Sequence, residues 1–218
     1  MKFTEKDWRH VADMTFTEAY PGYKPGVIES PNGDGVWDNS KEYTHIAAKY
    51  LNSEWGEENP LDATYLMDLL FDWVQTGKNV ALRLGLPIQY WPTISDSTIR
   101  LLAYPPGAGT ALHTDFDLFT LPMYRNIITT YEATFVEEKD MPWENIDQFN
   151  RLHIGELMAE INPHAYVATQ HLVKADPRDR HQYSAVFFAM PSLEAVLPSG
   201  LTVSEWLLFR KARSRRTV

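Results

Sequence analysis

The first half of the chain carries apolar residues at helical spacing. A cap-like start at residues 4–7 precedes apolar positions three and four residues apart, which predicts a short first helix. Residues 62–84 repeat this spacing over the longest stretch and stop before Gly85, so they predict the longest helix. Between them, the Pro- and Gly-rich residues 20–39 predict loop and turn, and residues 41–51 predict a further helix.

The pattern changes at Thr98, where short runs of β-favouring residues begin to alternate with turns. These runs are STIRLLAY, TALHTDF, DLFTL, NIITTYEATFV, LHIGELMAEI, AYVATQHLV and YSAVFFAM. They follow one another too closely for helical crossovers, so they predict an antiparallel sandwich or barrel. A last helix is expected to begin at residue 202 or 203.

Together the patterns predict one α+β domain with a mainly β core over residues 1–218. Residues 1–97 are expected to form a helical and loop region, residues 98–192 the β core, and residues 193–218 a C-terminal helix with a basic tail. The chain has 218 residues, of which 44% are hydrophobic and 13% aromatic. This is enough apolar side chain for one core of good size.

The charge and hydropathy of the chain argue against nucleic-acid and membrane partners. The net charge is −9, although the last nine residues hold five of the 20 basic side chains. An acidic body argues against binding to nucleic acid or to an anionic membrane, because both need a cationic surface. No run reaches the roughly 18 apolar residues of a membrane span, and the first ten residues lack the apolar core of a secretory signal. We therefore expect a cytoplasmic protein with no membrane partner.

Histidine and carboxylate residues supply the candidate chemistry. The chain has no cysteine, so a metal would have to bind His, Asp or Glu. His113 stands two residues before Asp115, and side chains two apart on a strand share a face. His171 lies at the end of another β-like run and offers a third ligand. Two imidazoles and one carboxylate suit Fe(II) oxygen chemistry, whereas a His-x-Asp pair alone also occurs by chance and a lone strand histidine is usually structural.

Six segments then follow one another in a recognisable order. They are IRLLAYPP (99–106), ALHTDFD (111–117), HIGELM (153–158), ATQHLV (168–173), YSAVFFAMP (183–191) and LTVSEWL (201–207). In this order they resemble the isopenicillin N synthase-like branch of the 2-oxoglutarate and Fe(II)-dependent oxygenases. The resemblance implies a double-stranded β-helix (jelly roll) with flanking helices. It also implies that His113, Asp115 and His171 bind iron and leave open positions for 2-oxoglutarate and O2.

The closing strand departs from the family pattern. Members usually have Arg-x-Ser there to bind the far carboxylate of 2-oxoglutarate or of the substrate, and this chain has Gln182 and Ser184 at those positions. A neutral amide cannot supply the charge with which a guanidinium binds a carboxylate. Arg180 is the nearest replacement if the strand extends that far, and Arg100 and Lys174 are further candidates.

The resemblance also assigns Tyr104 to the cosubstrate site, although a strand aromatic is an equal interpretation. With Arg180, Gln182 and Ser184 it forms the candidate cosubstrate set. His153, His164 and His181 are not at the family's ligand positions, so they are expected to be structural.

The function predicted on these grounds is that of a non-haem Fe(II) dioxygenase. It would use 2-oxoglutarate and O2 to hydroxylate, desaturate or cyclise a small metabolite or natural-product intermediate. One alternative is an iron-dependent oxidase of the same fold that does not use 2-oxoglutarate. Others are a cupin-like metal-dependent hydrolase or isomerase, and a non-catalytic sugar- or peptide-binding jelly roll in which the triad is coincidental.

Overall fold

Two antiparallel sheets form the core of the structure, a computed structural model that describes residues 3–27, 41–125, 152–173 and 180–214. The strands are β1 (Tyr23–Val27), β2 (Lys41–Ile46), β3 (Thr98–Tyr104), β4 (Thr110–His113), β5 (Phe119–Arg125), β6 (His153–Ile154), β7 (His171–Val173) and β8 (Gln182–Ala189). Six of them form the larger sheet in the order β1-β2-β3-β8-β5-β6, and β4 pairs with β7 in the smaller sheet. This is the predicted α+β architecture with a mainly β core.

Helices flank the sheets. They are α1 (Glu5–Thr15), α2 (Ala48–Leu51), α3 (Glu54–Glu58), α4 (Pro60–Arg83), α5 (Glu156–Ile161) and α6 (Val203–Ser214), and a 3-10 turn spans Ile88–Tyr90. The reciprocal cap between Thr4 and Asp7 begins α1, as the sequence predicts. The predicted long helix is confirmed as α4, which has 24 residues. No helix within the described residues is long and apolar enough to cross a membrane.

The larger sheet has one face toward the helices and one toward the interior of the jelly roll. Ile99 and Leu101 of β3 pair with Phe187 and Ala185 of β8, and all four are fully buried in the main hydrophobic cluster. The ring of Phe187 lies 6.2 Å from that of Trp73 on α4. Since side chains alternate along a strand, the intervening residues occupy the opposite face. This inner face comprises Arg100, Leu102 and Tyr104 of β3 and Gln182, Ser184, Val186 and Phe188 of β8.

Two strands replace predicted loop and helix near the N-terminus. Residues 20–39 are predicted as loop, yet residues 23–27 form β1. Residues 41–51 are predicted as helix, yet residues 41–46 form β2 and only residues 48–51 form a helix. The prediction is wrong because pairing with β3 overrides local preference: Thr44 and Ile46 are buried while Tyr43 and His45 lie on the other face.

A second correction concerns residues 152–161, for which the sequence predicts one strand. The strand stops at Ile154, and after Gly155 the residues Glu-Leu-Met-Ala-Glu-Ile form α5. Strong helix formers in that stretch account for the difference. The predicted strand at residues 126–136, most of the predicted loop at residues 20–39 and the end of the basic tail lie outside the described residues.

Candidate metal centre

The two candidate histidine ligands lie opposite one another in the smaller sheet. His113 is the last residue of β4 and His171 the first of β7, and the two are paired in the antiparallel register. Opposite residues in such a pair have side chains on the same face. Asp115 follows two residues after His113, in the loop that leads to β5. The structure therefore brings together all three residues that the sequence predicts as ligands.

The three side chains are close enough to share one ion. Asp115 Oδ1 lies 3.8 Å from His113 Nε2, and Asp115 Oδ2 lies 3.5 Å from His171 Nε2. Two atoms bonded to one ion at about 2.1 Å can be at most about 4.2 Å apart, so both distances fit a shared metal. The side chains of Asp115 and His171 are 12% and 10% exposed, whereas that of His113 is 42% exposed. Among the described residues this is the group whose donor atoms fit a metal, and its donor set suits Fe(II).

The backbone at Thr169 orients the His171 ring. His171 Nδ1 lies 3.1 Å from the Thr169 carbonyl oxygen, which accepts a hydrogen bond when Nδ1 carries the proton. The other nitrogen, Nε2, then has its lone pair directed at Asp115 and the shared position. Thr169 is itself fixed to β6, because its N–H donates to the Ile154 carbonyl and its hydroxyl accepts from the Ile154 N–H.

A buried hydroxyl supports the carboxylate ligand. Thr120 Oγ1 lies 2.7 Å from Asp115 Oδ2 and 2.9 Å from Asp117 Oδ2, and its one hydrogen can serve only one of them at a time. Burial, and then the negative charge of Asp115, raise the pKa of Asp117 well above its ordinary value. Because burial disfavours the charged form of Asp117, this carboxyl competes less strongly for the Thr120 hydroxyl, which can then donate to Asp115.

Removing this hydroxyl should weaken metal binding. We expect Thr120→Val to lower Fe(II) affinity about 10- to 100-fold, because outer-shell hydrogen bonds to metal ligands typically contribute that much. Anaerobic titration of the apoprotein with Fe(II) measures the effect. Thr120→Ser retains the hydroxyl and should bind the metal like the unsubstituted protein. Equal affinity of the valine and serine variants would show that the hydrogen bond does not support the ligand.

The start of α5 fixes the loop that carries Asp115. The N–H of Glu156 donates to the Asp115 carbonyl at 2.8 Å, and the N–H of Leu157 donates to the Asp117 carbonyl at 3.1 Å. The side chain of Glu156 accepts a hydrogen bond from Thr114 and forms an ion pair with Arg210 on α6. The conformation of the ligand loop thus depends on two helices outside the smaller sheet.

His153 lies against the predicted ligands, although the sequence predicts only a structural role. It pairs with Thr120, so it is on the inner face, and it is 5% exposed. Its ring centroid is 4.5 Å from that of His171, which in turn is 4.3 Å from that of His113. His153 is not part of the group with metal-binding geometry. The position of His153 beside His171 follows from the pairing of β5 with β6, and no local pattern in the sequence predicts it.

Three of the four candidate cosubstrate residues share the inner face. Tyr104 pairs with Gln182, Ser184 lies two residues further along β8, and all three are nearly inaccessible to solvent. Burial raises the pKa of Tyr104, so its hydroxyl stays protonated and able to donate. Arg180 is exposed, and β8 begins at Gln182, so the condition that the strand extends to Arg180 is not met. Of the further candidates, Arg100 lies on the inner face of β3, and Lys174 lies outside the described residues.

Comparison with solved structures shows which fold this chain shares. Its fold is similar to that of a full-length Neurospora crassa protein in complex with alpha-KG (2-oxoglutarate), with a TM-score of 0.60, 17% identity, and coverage of 97% of this chain and 84% of the other. It is also similar to JOX2 in complex with 2OG, Fe and JA (TM-score 0.55, 15% identity, coverage 94% and 71%). A third is the dioxygenase for auxin oxidation in rice (TM-score 0.54, 13% identity, coverage 96% and 81%). At these identities the likeness establishes the jelly-roll fold.

Comparison of the sequence with protein-family models and with curated proteins identifies no relative. No protein-family model matches the sequence, and no curated protein matches it significantly.

Proposed function

We propose that this protein is a non-haem Fe(II) dioxygenase that uses 2-oxoglutarate and O2 to oxidise a small molecule, in the isopenicillin N synthase-like branch of that superfamily. The observation that carries the proposal is the group of His113, Asp115 and His171. Two imidazoles and one carboxylate meet at one point on a rigid jelly-roll scaffold. This donor set binds Fe(II) on one face and leaves the opposite positions open.

Iron bound here would supply the activation of O2. In the overall reaction 2-oxoglutarate loses CO2 and becomes succinate, one oxygen atom of O2 enters succinate, and the substrate supplies the other two electrons. Hydroxylation places the second oxygen atom in the substrate, whereas desaturation or ring closure releases it as water. The protein's part is to bind and orient both organic molecules.

Residues of this chain prepare the site for that chemistry. The bond from His171 Nδ1 to the Thr169 carbonyl leaves Nε2 free to bind metal, and the Thr120 hydroxyl donates a hydrogen bond to Asp115. Both histidines must be neutral and Asp115 ionised for metal to bind, so metal affinity should fall on acidification.

The solved structures support the choice of cosubstrate. The Neurospora crassa protein was crystallised with alpha-KG, and JOX2 with 2OG and Fe, in folds similar to this one. The Neurospora crassa protein was also crystallised with thymine and alpha-KG, and small-molecule substrates of this kind fit the proposal. The acidic chain composition argues against a nucleic-acid partner.

Tyr104, Gln182 and Ser184 are proposed to bind the far carboxylate of 2-oxoglutarate. Each offers a hydrogen-bond donor, and the three share the inner face of β3 and β8. Gln182 stands where the family has arginine. Neutral hydrogen-bond donors would therefore bind the carboxylate that a guanidinium binds in other members. Arg180, the other candidate from the sequence, stays a weaker one because its side chain is exposed.

This assignment predicts the effect of removing the amide. We expect Gln182→Leu to weaken 2-oxoglutarate binding about 10- to 100-fold, because a hydrogen bond to a charged group contributes about 1.5–3 kcal/mol. Calorimetry on the Fe(II)-loaded protein under anaerobic conditions measures the affinity. Gln182→Glu should weaken binding further, since two carboxylates would repel. Unchanged affinity in both variants would remove Gln182 from the cosubstrate site.

Product analysis tests the proposed function. Protein loaded with Fe(II), given 2-oxoglutarate and exposed to O2 should form succinate and CO2 in equal amounts. An Asp115→Ala variant should form neither. A protein that binds Fe(II) at this site but never converts 2-oxoglutarate would be the oxidase or the hydrolase that the sequence leaves open.

A further inference from the structure

Arg100 brings a cation into the interior of the jelly roll. It occupies the inner face of β3, opposite Val186 on β8 and His45 on β2. Its guanidinium carbon lies 4.6 Å from the centre of the Phe188 ring and 5.5 Å from that of the Tyr43 ring. Aromatic faces attract a guanidinium and fix its plane. These two rings therefore hold the head group in place.

This cation has no carboxylate in ion-pair contact within the described part of the chain. Among the described residues no ion pair includes Arg100, and its buried Nε makes no hydrogen bond with any of them. The residue opposite it on β2 is neutral, because burial and the charge of Arg100 lower the pKa of His45 to about 3. Arg100 is half-buried, with Nε as its buried nitrogen, and arginine cannot escape the cost of this desolvation by losing its proton. The charges of Asp115 and Asp117 act on Arg100 from beyond ion-pair distance, so its guanidinium can still bind a further carboxylate in direct contact.

Arg100 lies near the metal centre, and its charge acts on both Asp115 and the proposed cosubstrate residue Tyr104. Phe188, whose ring it contacts, pairs with Thr120, and Thr120 binds Asp115. Gln182 is four residues from Val186 along β8, which is about 13 Å at the usual rise per residue. Arg100 therefore stands apart from the position of the arginine that Gln182 replaces.

We propose that the guanidinium of Arg100 binds a carboxylate of the organic substrate, so that this protein oxidises a small carboxylic acid. The inference rests on the proposed function and names the substrate class for the same site. A carboxylate is planar and accepts two parallel hydrogen bonds from a guanidinium, which suits a head group confined between two rings. Anchoring the acid at Arg100 would fix which C–H bonds approach the metal.

A binding experiment with simple probes tests this. The protein is loaded with Fe(II) and saturated with 2-oxoglutarate without O2, and calorimetry measures binding of benzoate and hexanoate and of their neutral amides. Wild type should prefer each acid to its amide by about tenfold or more, since a charge-assisted bidentate pair is about twice as strong as a neutral one. Arg100→Met should lose that preference and keep its affinity for 2-oxoglutarate, while Arg100→Lys should keep part of the preference. Arg83→Met, which removes an exposed arginine at the end of α4, should behave as wild type.

A second measurement needs neither ligand nor turnover. Because Arg100 is half-buried and makes no direct ion pair in the described part of the chain, Arg100→Met should unfold close to the wild-type temperature. Marked destabilisation would mean that Arg100 is structural and would overturn the proposal. So would equal binding of acids and amides by wild type, or a loss of 2-oxoglutarate affinity in Arg100→Met, which would assign Arg100 to the cosubstrate. A wild-type protein that prefers the acids but forms no succinate would refute the oxygenase function and leave the carboxylate site standing.

Discussion

Replacing His171 by alanine is expected to lower the affinity for Fe(II) more than about 100-fold. The change removes one of three donor atoms that meet at one point, and losing a direct ligand should exceed the roughly 10- to 100-fold effect of outer-shell partners. Anaerobic titration of the apoprotein with Fe(II) gives the affinity, and circular dichroism shows that the variant is folded.

His164→Ala is the matched control for that variant. His164 is exposed and lies outside the metal-binding group, so its removal should leave Fe(II) affinity unchanged. If His171→Ala bound Fe(II) as tightly as His164→Ala, the triad would be coincidental and the fold would be a non-catalytic jelly roll.

Gly155→Ala is expected to destabilise the protein by about 3 kcal/mol and to weaken metal binding as well. A Cβ at this position would lie 2.0 Å from the Asp117 carbonyl oxygen and 2.4 Å from Asp117 Oδ1. Neither neighbour is the end of a flexible chain, so the backbone between Asp115 and Leu118 would have to move, and strain of this kind costs about 1–3 kcal/mol or more. Denaturant unfolding and Fe(II) titration measure the two effects.

Gly200→Ala is the control that distinguishes a steric clash of the added Cβ, expected at Gly155, from the cost of an unfavourable backbone conformation. Gly200 has a φ of +85° but nothing within 4 Å of an added Cβ, so alanine there should cost about 1 kcal/mol and leave metal affinity unchanged. If the two alanine variants were equally stable and both bound Fe(II) normally, the contact between α5 and the ligand loop would not support the site.

The sequence alone predicts much of this molecule where the signal is local. Helix α4 follows from apolar spacing over many turns, and the start of α1 follows from the Thr4 and Asp7 cap. His113 and Asp115 follow from their spacing of two, and family resemblance supplies the position of His171. Each of these inferences depends on residues that are neighbours along the chain or on an ordered set of motifs.

The remaining features depend on strand pairing, which no local pattern encodes. Residues 41–46 look helical in isolation and become β2 because β3 offers them an edge to pair with. His153 lies beside His171 only because β6 pairs with β5. The contact of Arg100 with Tyr43 and Phe188 likewise requires three neighbouring strands in register. Long-range pairing, rather than propensity, places these side chains in the interior.

One measurement tests the central claim most directly, namely that Fe(II) at this triad binds 2-oxoglutarate. Fe(II) and then 2-oxoglutarate are added to the protein without O2, and the visible spectrum is recorded. We predict a weak charge-transfer band that appears only when both are present and is missing in Asp115→Ala. A protein that binds Fe(II) but gives no such band at saturating 2-oxoglutarate, or a band that survives in Asp115→Ala, would contradict the account.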